Sequence, residues 1–508
     1  MSSTCKYFSI LLVVLFGICL IRTFVIVNLS KKKLPKCSKN ENHAFIEVDW
    51  KRWERFKDTL RMETISYEAN EQNKDELKKL VEYIIQAHPT IFKSKHVQYE
   101  IVNGYSLLIH VQGRDKSLLP YLLAAHLDVV PVVEHEWSVD PFSAIENKDG
   151  TIVYGRGTLD DKGSLMAQLA ALEYFLEIGL VPQRSFYIAH GHDEEISGYQ
   201  GAKHIAATLK KKGVDRLHFV LDEGLVVTRG LFGSMDQDLA LVGVTEKGIA
   251  FLNLSVEIHG GHSSMPAKET AIGIMSGAIS RLQSNQMPGR IDNLMTEMLE
   301  SLAPEIGFPT NIVLSNIWLF KPLLCWLLSN NQMLQGGVRT TTAVTIMRGG
   351  MKGNVIPSSA SAIVNHRIHP WDSLDDVLQH DQRIINDDRV RITVLHESEP
   401  HPISPFSRSS SITYQLLTDT IEQIFDNVII GPAALVANTD TRHYLTFSEN
   451  IYRFNPMVLT KDEIASIHAK NERISRDNFE KMINFYFHLM INSDRTKLRE
   501  ITDKKGEL

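Results

Sequence analysis

Histidines and acidic residues gather in five short stretches, each at or near the end of a strand-like run. The first is Ala124-Ala125-His126-Leu127-Asp128. Residues two apart on a strand face the same side. Asp128 can therefore stand behind His126 and hold its ring, as a metal-bound imidazole requires of an acceptor on its second nitrogen. The second stretch, Gly155-Arg156-Gly157-Thr158-Leu159-Asp160-Asp161-Lys162-Gly163, opens a helix. Its glycine spacing is wrong for a phosphate loop, and adjacent carboxylates would repel the anion. His192-Asp193-Glu194-Glu195, Leu221-Asp222-Glu223-Gly224 and Ile467-His468-Ala469-Lys470-Asn471-Glu472-Arg473 complete the set. Any one of these would pass as a helix cap or a solvated loop. Five of them at one end of a sheet would not. Two imidazoles with three carboxylates suit Zn²⁺, and a carboxylate shared by two ions about 3.5–4 Å apart would make a co-catalytic pair.

The elements that must position these residues follow an α/β pattern. Leu77, Leu80, Val81, Ile84 and Ile85 share one helical face, which ends before Pro89. Tyr99 to Val111 reads as a strand, and Tyr121 to Ala125 is apolar throughout, as a buried sheet interior requires. A helix bearing Leu165, Leu169, Leu172 and Leu176 follows. Then come a strand over Ser185–His190, a helix near Gly198–Leu209 and a strand over Leu217–Leu221. Such alternation predicts a mostly parallel sheet with ligands at the carboxyl ends of its strands. After Val244 the texture changes. Strands at Phe251–Ile258, Ser361–Ile368 and Arg389–Leu395 alternate with helices at Thr270–Leu282 and Asp375–Ile385, with a long insertion from Met287 to Arg339. This is a smaller α+β, ferredoxin-like sandwich, and the α/β pattern resumes after Pro402. The expected organisation is an apolar leader or anchor over 1–30 and a catalytic domain in two pieces, 45–245 and 400–508. Residues 246–399 form the interrupting domain, of a lid or dimerisation type.

Composition narrows the function. Of 508 residues, 54 are Lys or Arg and 60 Asp or Glu, a net charge of −6 that offers no basic surface for nucleic acid. Four cysteines, Cys5, Cys19, Cys37 and Cys325, neither staple a secreted domain nor form a thiolate zinc site. Phe8 to Leu29 is almost continuously apolar and long enough to cross a bilayer. It reads as a signal peptide or as an uncleaved anchor, with no obvious small-x-small cleavage pattern. Lys31, Lys32, Lys33 and Lys36 follow it. Either reading places the chain in the secretory route, secreted or anchored with a lumenal catalytic domain. The C-terminal Lys505-Gly506-Glu507-Leu508 resembles an ER-retention signal only in part.

In this order the five motifs resemble the co-catalytic zinc hydrolases that include aminoacylases, glutamate carboxypeptidases, carnosine dipeptidases and yeast vacuolar carboxypeptidase S. The likeness runs from about Val48 to Leu489 and carries the interrupted-domain architecture with it. It implies two Zn²⁺, with His126, Asp160, Glu195, Asp222 and His468 as ligands and Asp160 as the bridge. It implies further that Asp128 orients His126 and that Glu194 is the general base. Glu257-Ile258-His259-Gly260-Gly261-His262-Ser263-Ser264-Met265-Pro266 resembles the family's oxyanion-stabilising stretch, with His262 as the donor, in many relatives reaching across from a dimer partner. Gly353-Asn354-Val355-Ile356-Pro357 and Asn365-His366-Arg367 resemble the segment that binds the substrate carboxylate. There Arg367, with Asn354, would supply a bidentate clamp. Asn438 to His443 resembles a loop lining the pocket.

Within that family the chain resembles the carboxypeptidase S branch and its secreted animal relatives, which hydrolyse and form N-fatty-acyl amino acids. Ile317 to Leu328 is apolar but interrupted by Lys321 and Pro322, too short to span a bilayer. It is either core or an apolar wall or membrane-touching patch that receives an acyl chain. The expected substrate is an N-acyl amino acid; the alternative is a short peptide losing its C-terminal residue. Membrane or lipid-particle contact and a homodimer are the other partners expected.

Overall fold

The computed structural model describes residues 3–27, 45–68, 71–230, 237–332 and 334–505. The lysines at 31–33 and 36, Cys37, the last residues of the apolar run and the Gly506–Leu508 end lie outside the described residues. The chain divides into two compact units. One comprises 1–27, 245–403 and 433–437, the other 28–244, 404–432 and 438–508.

The larger unit is built on an eight-stranded sheet. Its central strands, Phe186–Gly191, Tyr121–His126, Val220–Thr228 and Ile451–Leu459, run parallel. The outer strands Val97–Val102, Ser106–Val111 and Asp238–Glu246 are antiparallel. Every residue of Tyr121–His126, Phe186–Gly191 and Ile451–Leu459 is buried, as strands covered on both faces must be. The helix Lys162–Glu177 and the C-terminal helix that begins at Arg476 pack against each other, and both lie on this sheet. The run expected as one strand over Tyr99–Val111 is two. Asn103-Gly104, both at positive φ, turns the chain into a hairpin, the conformation that an Asn-Gly pair adopts most readily.

The smaller unit holds a four-stranded antiparallel sheet of Gly248–Glu257, Thr341–Gly349, Ser359–Ile368 and Val390–Ser398. In sheet order Ser359–Ile368 and Gly248–Glu257 are central. Both alternate buried and partly exposed residues, so one face carries a core that includes Leu252, Leu254, Val364 and Met275. The helices Ala271–Ser284 and Leu374–Ile385 cover that face. Thr341–Gly349 was not foreseen, since it sits just past the expected insertion and carries no buried alternation of its own. The insertion is helical, with Asn293–Leu302, Thr310–Ser315 and Ile317–Ser329. The N-terminal apolar helix Ser3–Val27 belongs to this unit and packs on Thr310–Ser315.

Candidate metal centre

The first and third motifs follow the carboxyl ends of the parallel strands Tyr121–His126 and Phe186–Gly191, and the fourth lies within the parallel strand Val220–Thr228. The second follows Ile152–Tyr154 of a separate small sheet, and the fifth comes after Ile451–Leu459. His126 is the last residue of its strand, and its Nε2 lies 2.8 Å from Asp160 Oδ1. The other oxygen of the same carboxylate, Oδ2, lies 2.8 Å from His468 Nε2. One carboxylate thus faces two imidazoles in opposite directions, the geometry of a bridging ligand. Each imidazole has a second acid at 3.4 Å: Glu223 Oε1 for His126 and Glu195 Oε2 for His468. Ligand atoms of His126, Asp160 and Glu195 lie within 4.8 Å of one another, as do those of His126, Asp161 and Glu223.

These residues fit divalent cations. Among the described residues the only cationic side chains within 4 Å of Asp160, Glu195 and Glu223 are the two histidines. Glu195 Oε1 is buried without a hydrogen-bond partner. Burial, reinforced by Asp160, pushes the Glu195 and Glu223 carboxyls above their usual range. Asp160 goes the other way: burial works against its charge, but bonds from His126 and His468 hold it well below the usual carboxylate range. His468 is pushed up to about 10 by Asp160 and Glu195. A cluster of raised carboxyls of this kind would give up protons on taking a divalent cation.

Residues 122–492 match the model of peptidase family M20/M25/M40. The chain belongs to the M20 peptidases. It is 44% identical over 494 residues to the N-fatty-acyl-amino acid synthase/hydrolase PM20D1 of Xenopus tropicalis, covering 96% of this chain and 94% of that protein. The M20 metallo-carboxypeptidase Sso-CP2 of Sulfolobus solfataricus shares the fold, with a TM-score of 0.62 at 18% identity over 87% of this chain and 99% of that one. So does the YXEP protein of Bacillus subtilis, described as a dinuclear metal binding M20 peptidase. Its TM-score is 0.54 at 12% identity, over 88% and 100% of the two chains. The M20 family is metal-dependent, with a dinuclear site.

The fourth motif brings two adjacent acids, Asp222 and Glu223, on the strand Val220–Thr228. Asp222 Oδ1 accepts the Glu223 amide at 2.9 Å, and its charge, after burial, helps push the Asp440 carboxyl well above its usual range. Glu223 Oε1 lies 3.4 Å from His126 Nε2. Successive residues of the strand Val220–Thr228 point to opposite faces, so only one of the two acids can look into the cluster. Spacing could not choose between them, because both stand at the strand's midpoint with equal charge.

Asp128 does more than hold a ring. His126 Nδ1 lies 2.9 Å from the Asp128 carbonyl and 3.4 Å from its carboxylate. That carboxylate also accepts from Ser66 Oγ at 2.7 Å and from the amides of Glu194 at 3.1 Å and Glu195 at 3.3 Å. One buried acid therefore ties the first and third motifs together. His192, in the third motif, is not in the cluster. Its Nδ1 meets Ser106 Oγ at 2.6 Å, and burial lowers its pKa to about 4.

Glu472, quoted in the fifth motif but given no role, is the residue that sequence reasoning missed. Fully buried, it pairs with Arg156 and accepts from the amides of Leu159 at 2.7 Å and of Gly157 and Asp160 at 3.3 Å. It thus clasps the loop that presents Asp160. The signal was its place four residues after His468, among residues that must close over that loop.

Asp440, from the Asn438–His443 segment, is buried against Gly191 and Gly198 behind the Glu194–Ser197 turn. Gly198 sits at φ +69, and a Cβ there would overlap the Asp440 carboxylate. Gly198→Ala is expected to destabilise the fold by about 1–3 kcal/mol through strain and crowding, read as a lowered melting temperature with metal affinity reduced in parallel.

The remaining expected residues lie in the smaller unit. His262 is exposed, with its Nδ1 2.7 Å from Ser264 Oγ. It pairs with Val355 across a two-stranded ladder, and the Ser263 amide donates to the Asn354 carbonyl at 3.2 Å, so His262 and Asn354 are brought together. Arg367 is half-buried on the central strand Ser359–Ile368, on the face opposite the core.

Proposed function

We propose that the chain is a dinuclear zinc amidohydrolase that cleaves N-fatty-acyl amino acids and, in reverse, forms them from fatty acid and amino acid. The observation that carries this reading is the Asp160 carboxylate set between His126 and His468, 2.8 Å from each. The choice of acyl amino acid draws on the likeness to a relative bearing that activity in its name. The metal ligands proposed are His126, Asp160 and Glu223 on one side and Asp160, Glu195 and His468 on the other. When bound there, metal would polarise the amide carbonyl and acidify the attacking water.

The protein's own groups do the rest. Burial, partly offset by His126 and reinforced by Asp440, Glu195 and Asp160, raises the Glu194 carboxyl well above its usual range, which suits a group that must take and return a proton near neutrality. Glu194 takes the proton of the attacking water and delivers it to the leaving nitrogen. Asp128 fixes the backbone on which Glu194 is carried. His262 is proposed as the oxyanion donor and Arg367, with Asn354, as the clamp on the amino acid's carboxylate. The unit that carries them would act as a lid. Entry into the secretory route through the apolar N-terminal helix is proposed with this activity.

Condensation and hydrolysis share one transition state, so the residues do not set the net direction. A panel of N-acyl glycines and N-acyl phenylalanines of graded chain length tests the reading. Each buried methylene adds about 0.8 kcal/mol, so kcat/KM should climb about fourfold per methylene until the acyl site is full. Robust release from blocked dipeptides with no acyl turnover would instead make the chain a carboxypeptidase. A chelator should abolish turnover and added Zn²⁺ should restore it; activity unchanged after metal is stripped and shown to be absent removes the metal mechanism.

A further inference from the structure

The four-stranded sheet of the smaller unit carries a cavity on the face that its helices leave open. Gly248–Glu257 and Ser359–Ile368 turn Leu254, Val256, Ala360 and Ala362 into the core. Side chains alternate across a strand, so Ser255, Glu257, Ser359 and Ser361 stand on the other face. The register arranges them in rows. Ser361 lies opposite Ser255 on one side and Arg348 on the other, and Ser359 lies opposite Glu257. These residues line one cavity of about 770 Å³.

Two charges of opposite sign therefore share the cavity without meeting. Arg348 and Glu257 are exposed, and among the described residues neither has an opposite charge within 4 Å. They are two strands and two residues apart, about 12 Å between Cα atoms at ordinary sheet spacings. Side chains extended toward each other across that distance leave a gap too wide for an ion pair and close to the span of a small zwitterion. Beneath the gap, the hydroxyls of Ser255, Ser359 and Ser361 have no hydrogen-bond partner among the described residues. Hydroxyls donate and accept alike, so this floor serves either charge of a ligand.

An apolar wall completes the cavity. Val355, Ile356 and Pro357 line it, and Val355 is 49% exposed. Gly260-Gly261 and Gly349-Gly350 add wall with no side chain to fill the space. A simple anion would use Arg348 and meet repulsion from Glu257; a simple cation would meet the reverse. A molecule with an ammonium beside a carboxylate satisfies both, and the apolar wall receives what hangs between them. The cavity is distinct from the clamp proposed for the substrate carboxylate. Arg367 stands six residues beyond Ser361 on the same strand, about 20 Å away.

We propose that this cavity binds a free α-amino acid with an apolar side chain. Its carboxylate sits on Arg348, its ammonium on Glu257 and its side chain against Val355 and Ile356. The inference does not rest on the hydrolase reading, because it assigns a ligand to the smaller unit whichever bond the metal centre acts on.

The test uses the full chain and radiolabelled L-phenylalanine in equilibrium dialysis. The wild type is expected to bind the amino acid saturably, and no saturable binding overturns the site. Glu257→Gln and Arg348→Gln should each weaken binding by about tenfold or more, as the loss of a charged hydrogen-bond partner does. Both side chains are exposed, so the melting temperature of the free chain should stay as in the wild type. Unchanged binding in either variant overturns the assignment. Two analogues separate the charges: 3-phenylpropionate lacks the ammonium and phenethylamine lacks the carboxylate. Each should compete about tenfold or more weakly than L-phenylalanine; equal competition by 3-phenylpropionate makes this an anion site and overturns the zwitterion. Arg367→Ala should bind L-phenylalanine as the wild type does. Loss of binding in that variant places the amino acid at the substrate clamp and removes the second site.

Discussion

Glu194→Gln is expected to leave a folded, metal-binding chain whose kcat falls by two to four orders of magnitude, about the span attributed to a positioned general base. Glutamine keeps the length and the backbone, so the amide of residue 194 can still reach Asp128. The contacts of Asp160 with His126 and His468 are left as they are. Only the capacity to accept and return a proton is lost. Steady-state turnover together with metal stoichiometry checks this. Wild-type turnover in a fully loaded variant would remove Glu194 from the proton path, whereas lost metal would show that the side chain is structural.

Glu472→Gln should produce the second large effect, by a different route. The change leaves Arg156 buried opposite a neutral amide, and breaking a buried ion pair costs about 3–5 kcal/mol. It also replaces an oxygen that accepts from the loop amides with a group that can donate against them. Metal affinity is expected to fall by about 10–100-fold, the usual effect of losing a group that orients a ligand. The double variant Arg156→Met/Glu472→Gln separates the two consequences. It should recover much of the lost melting temperature, since no unpaired charge remains, but not the metal affinity, since the loop carrying Asp160 is still unclasped. Competition with a chromogenic chelator and a thermal melt read the two quantities independently. Recovery of both together would reduce Glu472 to a structural ion pair.

Much of the fold was legible because its strands are long apolar runs with polar residues at one end. Tyr121–His126 and Phe186–Gly191 announce both their burial and the place where chemistry begins. The hairpin at Asn103-Gly104 was hidden by reading hydrophobicity over a turn signal. In the candidate site, convergence could be read from residue types, but the choice between Asp222 and Glu223 could not. It depends on which face of a buried strand each side chain takes, and identical charge gives no pattern to follow. Glu472 was hidden for a related reason. Its importance lies in hydrogen bonds to backbone amides more than 300 residues away in sequence, and backbone amides leave no trace in side-chain composition.

The division of the larger unit into separated stretches has a consequence for biosynthesis. His126, Asp160, Glu195 and Glu223 all leave the ribosome before the intervening 245–403 stretch, and His468 with Glu472 only after it. A nascent chain therefore carries most of the acidic cluster while lacking both the last imidazole and the clasp on the bridging loop. On the ligand set proposed above, full occupancy by two ions would be a late event, reached only once translation has passed His468.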